Sequence, residues 1–135
     1  KYKAEMGKEV GASFLAANKT KPGVITTASG LQYKVIRKGT GPKPTSPNDQ
    51  VTVHYKGMLT DGKVFDSSYD RGETTSFGLN QVIRGWTEGL QLMEVGSKYE
   101  FYIPENLAYG AQTQGGIPPY STLIFEVELF QINGK

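Results

Sequence analysis

From Thr26 onward the apolar residues of this chain recur at every second position. Leu31, Tyr33 and Val35 alternate with Gln32, Lys34 and Ile36, and Val51, Val53 and Tyr55 alternate with Thr52 and His54. Tyr99, Phe101 and Ile103 alternate with Lys98, Glu100 and Tyr102, and Leu123, Phe125, Val127 and Leu129 with Glu126 and Glu128. A period of two turns one face of an extended chain to a core and the other to water, which predicts half-buried strands of a mostly antiparallel sheet. Gly39-Thr40-Gly41-Pro42-Lys43-Pro44 and Asp61-Gly62 are turn punctuation between strands. His54, out of phase with Val53 and Tyr55, is expected to face solvent.

Two segments carry a helical period instead. Lys1 to about Thr20 reads as a helix, with Tyr2, Met6, Val10 and Phe14 four residues apart in a narrow apolar stripe. Gly7 and Gly11 weaken it by about 1 kcal/mol each relative to Ala, and Pro22-Gly23 ends it. The stripe either docks on the domain or a neighbour, or belongs to a connecting stalk. The second helix runs roughly from Gln81 to Met93, with Ile83, Trp86 and Leu90 on one face. A helix on one face of a sheet buries both apolar surfaces in one core. The fold class is therefore α+β: a mostly antiparallel twisted sheet wrapped over one short helix, with an N-terminal helix appended. The expected division is residues 1–22 as helix or stalk and 23–135 as the folded domain.

The 135 residues suffice for one domain with a substantial core. Hydrophobic residues make up 37% and charged residues 21%, as in a soluble globular protein, and the net charge of +2 gives no electrostatic reason to expect a nucleic-acid partner. No run approaches the roughly 20 apolar residues of a membrane span. The chain starts at Lys1 without a signal peptide and is expected to be processed or trimmed there. Cysteine is absent, which excludes disulfides, thiol catalysis and cysteine metal sites. With a single histidine there is no nucleophile–base triad and no convincing transition-metal site, and Gly115-Gly116 is too short to cradle a phosphate.

The candidate chemistry lies with the aromatics. Taken singly, Tyr55, Phe65, Phe77, Trp86, Tyr109 and Phe125 are ordinary core residues. Their placement argues for a pocket: Tyr55 and Phe125 on inward strand faces, Phe65 just after a turn, Tyr109 in a Gly-flanked loop, and Trp86 in the first turn of the helix as a floor. Asp66, beside Phe65, is either a surface charge or a polar anchor that Arg71 keeps ionised. A dry pocket with so few polar groups suits chemistry that needs no nucleophile, metal or proton transfer, such as rotation about a peptidyl-prolyl bond.

The motifs Val53-His54-Tyr55-Lys56-Gly57-Met58-Leu59, Phe65-Asp66-Ser67-Ser68, Val82-Ile83-Arg84-Gly85-Trp86, Ala108-Tyr109-Gly110 and Ile117-Pro118-Pro119 occur in this order. From about Gly30 to Ile132 the chain resembles the FKBP-type peptidyl-prolyl isomerases. Its N-terminal helix, with Ser13-Phe14-Leu15-Ala16-Ala17-Asn18, looks like that of the Mip branch, whose members are exported and often come from pathogens. The resemblance implies a half-barrel sheet around the short helix, and a proline pocket of Tyr55, Phe65, Asp66, Arg71, Phe77, Val82, Ile83, Trp86, Tyr109, Ile117 and Phe125. Trp86 is then the floor, and Asp66, Tyr109, Ile83 and Phe125 act on the substrate. The Ile83 N–H and Tyr109 hydroxyl would take substrate carbonyls, and Asp66, oriented by Arg71, would be the polar wall. It further implies no cofactor or metal, proline-containing peptides and unfolded clients as partners, tacrolimus and rapamycin as inhibitors, and an extracytoplasmic, virulence-associated setting. A monomer is expected, and a homodimer only through an upstream segment. Two departures bear on affinity: Thr75 stands where many members carry an aromatic, and Gln112–Gly116 lacks a His-Pro. The competing reading is a non-enzymatic chaperone or adhesion module that uses the same aromatics.

Overall fold

Two ten-residue strands, Gln50–Leu59 and Leu123–Ile132, pair antiparallel along their length and form the spine of the domain. The computed structural model describes residues 4–46, 48–60, 62–110, 117 and 120–133. In chain order the elements are α1 (Ala4–Asn18), β1 (Val24–Thr26), β2 (Gln32–Arg37), β3 (Gln50–Leu59), β4 (Val64–Ser67), α2 (Ser68–Arg71), β5 (Thr75–Gly78), α3 (Arg84–Leu90), β6 (Lys98–Ile103) and β7 (Leu123–Ile132). Single 3₁₀ turns at Leu79–Gln81 and Glu105–Leu107 lead into α3 and the Tyr109 loop. The sheet is antiparallel in the order β1-β2-β6-β7-β3-β4, and β5 also pairs with β3. The predicted α+β architecture is thus the one observed.

The inward face is the one the alternation picked out. Val51, Val53 and Tyr55 of β3, Tyr99, Phe101 and Ile103 of β6, and Leu123, Phe125, Val127 and Leu129 of β7 are all buried, and they close on Trp86 and Leu90 of α3. The pattern fails in β2. Val35, on the expected inward phase, is 36% exposed, whereas Ile36, on the outward phase, is 48% exposed as the alternation has it. Val35 still pairs in register with the buried Tyr99, and the pairing of β2 with β6 shifts only beyond it, between Val35 and Arg37. Tyr102 also departs from expectation: it points to the outer face yet is buried.

The N-terminal helix is what covers Tyr102. The Phe14 ring lies 6.1 Å from that of Tyr102, and the Asn18 amide donates to Gln32 Oε1 at 2.9 Å. Gln32 Nε2 in turn donates to the Leu15 carbonyl at 2.9 Å, which also accepts the Lys19 N–H at 3.0 Å in the last turn of α1. Asn18 and Gln32 are both buried, so α1 docks on its own domain. It docks along Gly11, Phe14, Leu15 and Asn18, one residue round from the expected stripe, and Val10 is 53% exposed. The cause is Gly11: a Cβ there would lie 2.2 Å from Thr122 Oγ1, so only glycine lets the helix press onto the start of β7. Tyr2 and the Met6 side chain fall outside the described residues.

Two further expectations are corrected. The helix proposed for Gln81–Met93 is α-helical only over Arg84–Leu90, and Ile83 is its N-cap in extended conformation. His54 does not simply face solvent. It is half-buried on the outer face, stacked on Tyr69 with ring centroids 4.6 Å apart and met edge-on by Phe130 at 5.8 Å.

Candidate active site

β3, β4, β5, β7, the start of α3 and the Tyr109 loop surround a cavity of about 370 Å³. Its lining is Tyr55, Phe65, Asp66, Phe77, Gln81, Val82, Ile83, Trp86, Tyr109 and Phe125. Nine of the candidate residues from the sequence are in that set. Arg71 stands behind the wall, and Ile117 is buried against the core without lining the cavity. The Gln112–Gly116 loop and Pro118-Pro119 lie outside the described residues. Gln81 was missed, because it sits in a 3₁₀ turn that periodicity does not reveal.

The floor is Trp86, buried in the first turn of α3. Phe125, Phe77 and Tyr55 surround it with ring centroids 5.2, 5.3 and 5.3 Å away and planes 81–85° from its own. Edge-to-face contacts of this kind fix ring orientation beyond what burial alone contributes. Among the described residues the Trp86 indole nitrogen is buried without a hydrogen-bond partner. Phe65 and Phe125 meet edge-on at 5.5 Å across Gly57 of β3. A Cβ at Gly57 would lie 2.7 Å from both rings, so a side chain there would push the wall apart.

One polar network breaks the apolar lining. The Tyr55 hydroxyl donates to Asp66 Oδ2 at 2.6 Å, and Arg71 Nη1 donates to Asp66 Oδ1 at 2.7 Å. Arg71 Nη2 donates to the Tyr55 hydroxyl at 3.1 Å and to Thr75 Oγ1 at 3.2 Å, and the guanidinium lies 5.6 Å from the Tyr55 ring centroid. Local structure sets this geometry. Asp66 of β4 pairs with Gly57 of β3. The Ser67 side chain then caps α2 by accepting from the Asp70 N–H at 3.3 Å, and that single turn delivers Arg71 before Gly72 ends it with φ +75°. Thr75, where an aromatic was expected from the resemblance, holds the guanidinium instead.

These contacts set the protonation states. Burial raises the Asp66 carboxyl, but the Tyr55 hydroxyl and the Arg71 guanidinium outweigh it and hold the group below the usual carboxylate range. Burial, and then the neighbouring Asp66, push the Tyr55 hydroxyl up. Burial, reinforced by the charge on Asp66, does the same for Tyr109. The cavity therefore presents an anion and two neutral hydroxyls across the neutral range. As the N-cap of α3, Ile83 has an N–H that precedes the helical ladder. The Tyr109 loop is tied at its base, with the Gly110 N–H on the Glu105 carbonyl at 2.9 Å and the Tyr120 N–H on the Gly110 carbonyl at 2.7 Å.

Such a fold and cleft define a small α+β domain with an aromatic cavity bordered by one polar network. The sequence matches the family described as FKBP-type peptidyl-prolyl cis-trans isomerase over residues 41–130, and that described as the domain amino-terminal to it over residues 1–35. The chain belongs to the FKBP-type peptidyl-prolyl cis-trans isomerase family. It is 58% identical to the FKBP-type isomerase FkpA of Aeromonas hydrophila over 90% of this chain and 45% of that protein. It is 52% identical to the outer membrane protein MIP of Legionella longbeachae over 96% and 56% of the two chains. The chain thus spans about half the length of these relatives. Among solved structures it superimposes on FkpA from Escherichia coli with TM-score 0.92 and 46% identity, covering 96% of this chain and 60% of that one. With the peptidyl-prolyl isomerase of Pseudomonas syringae the TM-score is 0.89 at 41% identity, covering 98% and 97%.

Proposed function

We propose that this chain accelerates cis–trans rotation of Xaa-Pro bonds in peptides and unfolded proteins. The observation that carries the reading is the aromatic cavity over Trp86, walled on one side by a carboxylate that Tyr55 and Arg71 hold fixed and ionised. Partial double-bond character gives the planar amide a barrier of about 18–20 kcal/mol. The twisted amide has lost resonance and carries less charge separation, so an apolar cavity disfavours the planar form more than the twisted one. Each 1.36 kcal/mol of that difference gives about tenfold in rate.

In this mechanism the proline ring rests on Trp86 between Tyr55, Phe77 and Phe125. The Ile83 N–H and the Tyr109 hydroxyl hold the carbonyls that flank the rotating bond, and Asp66 faces its rotating side. Phe65, Val82 and Ile83 exclude water. Tacrolimus and rapamycin, whose rings mimic proline, compete for the same cavity. Residues 23–135 form the isomerase domain. Residues 1–22 serve to present it, and the domain works as a monomer unless an upstream segment pairs two copies. The setting is extracytoplasmic, a reading supported by the relative named an outer membrane protein. Among the described residues no helix is long and apolar enough to cross a membrane. The test is a coupled isomerisation assay on short Xaa-Pro peptides: a folded protein that captures unfolded chains but leaves the peptide rate at its uncatalysed value would support the chaperone reading instead.

A further inference from the structure

The outer edge of β3 is shared by two strands. Gln50–Val53 pairs with β5 and Lys56–Met58 with β4, which leaves His54 and Tyr55 in the gap between them. The side chain of Ser68 fills that gap. Its Oγ accepts the Tyr55 N–H at 2.7 Å, lies 3.3 Å from the Tyr55 carbonyl oxygen, and is bonded to His54 Nδ1 at 2.8 Å. Ser68 is fully buried. It follows Asp66 by two residues and precedes Arg71 by three, so the hydroxyl that replaces the missing strand partner also anchors the segment that clamps the Tyr55 hydroxyl.

We propose that His54 and Ser68 are positioning residues for the polar wall of the cleft, acting from the opposite face of the sheet. The inference rests on the reading of Asp66 and Tyr55 given above. A serine hydroxyl has one proton and two lone pairs. One lone pair takes the Tyr55 N–H. The proton has two acceptors in reach, and the imidazole nitrogen is the nearer. With His54 present the hydroxyl bridges strand and side chain. Without Nδ1 only the longer contact to the Tyr55 carbonyl remains, and Ser68 loses the partner that ties it to the outer face. The stack of His54 on Tyr69 and its edge contact with Phe130 hold the ring in place for this bond. Neither residue touches the cavity. Both act through Tyr55, Asp66 and Arg71.

The test compares His54→Phe, which keeps a ring over Tyr69 but has no Nδ1, with His54→Asn, whose amide sits near the position of Nδ1. Activity on an Xaa-Pro peptide is measured well below each melting temperature, with Asp66→Leu in parallel. Loss of one hydrogen bond in the network corresponds to about a tenfold fall in kcat/KM for His54→Phe, mainly in kcat, with His54→Asn within about threefold of the parent. The Tyr55 amide proton resonance should shift in His54→Phe and stay near its parent position in His54→Asn. A merely structural role would lower the melting temperature in both variants and leave activity per folded molecule unchanged. That result, alongside an impaired Asp66→Leu, overturns the proposal. An unimpaired Asp66→Leu overturns the underlying cleft reading instead. If His54→Phe does not fold, Ser68→Cys makes the same comparison, because a thiol is a weak hydrogen-bonding group of similar size; activity equal to the parent would again overturn it.

Discussion

Tyr55 and Asp66 are joined by a hydrogen bond of 2.6 Å from hydroxyl to carboxylate, made at the rim of an otherwise aromatic cavity. The bond fixes which face of the carboxylate is available, since Arg71 occupies the other oxygen at 2.7 Å. On the proposed reading the arrangement works as an oriented charge rather than an acid or base, and the predictions follow from that difference.

Asp66→Leu should lower kcat/KM by about ten- to a hundredfold, the equivalent of one or two charge-assisted hydrogen bonds. The melting temperature should change by only a few degrees, since Asp66 and Arg71 are each 43% exposed and ion pairs at such positions contribute little to stability. Steady-state kinetics and a thermal melt on the same preparation check both halves.

Gly57→Ala should cost both activity and stability. The added methyl would meet the Phe65 and Phe125 rings at 2.7 Å. Overpacking of this kind typically costs about 1–3 kcal/mol. Because those rings line the cavity, the activity loss should exceed what the unfolded fraction explains. Comparison of kcat/KM with the folded fraction by circular dichroism checks it.

Acid should weaken the Asp66 contribution to stability. Its folded pKa lies below its unfolded value, so the stabilisation is complete above about pH 4 and is lost as pH falls through the folded value. The difference in melting temperature between the parent and Asp66→Asn should therefore shrink from pH 6 towards pH 2. A difference that grew in acid would reverse the sign of the coupling.

Deleting residues 1–20 should lower the melting temperature while leaving short-peptide turnover, measured well below it, within about twofold of the parent. The deletion uncovers Tyr102 and leaves Gln32 without Asn18 and the Leu15 carbonyl. None of the described residues among those lost lines the cavity. Differential scanning calorimetry and the peptide assay separate the two effects.

The inward face of β3, β6 and β7 was legible because each strand alternates cleanly and packs against a single helix. The cavity was legible because its aromatics sit at strand centres, a helix start and one Gly-flanked loop. What escaped the sequence was set by tertiary contacts. The docked face of α1 depends on Gly11 meeting Thr122 across 111 residues of chain. Val35 lies opposite the buried Tyr99 and is exposed all the same, just before a register shift that no local pattern encodes. His54 obeys the strand period and is half-buried all the same, because Tyr69 of α2 folds over it. The one-turn α2 itself is too short for periodicity and announces itself only through Ser67 as cap and Gly72 as stop.

The most direct test is kcat/KM for one Xaa-Pro peptide from about pH 6 to 9 at constant ionic strength, since catalysis by proton transfer requires a group titrating in that range. Asp66 is held ionised, and Tyr55 and Tyr109 are held neutral, throughout. The Ser68 hydroxyl both donates and accepts, so its link to His54 survives either charge state of the ring. The account predicts a rate well above the uncatalysed one and nearly flat with pH. No acceleration by folded protein, or a bell-shaped profile, would contradict it.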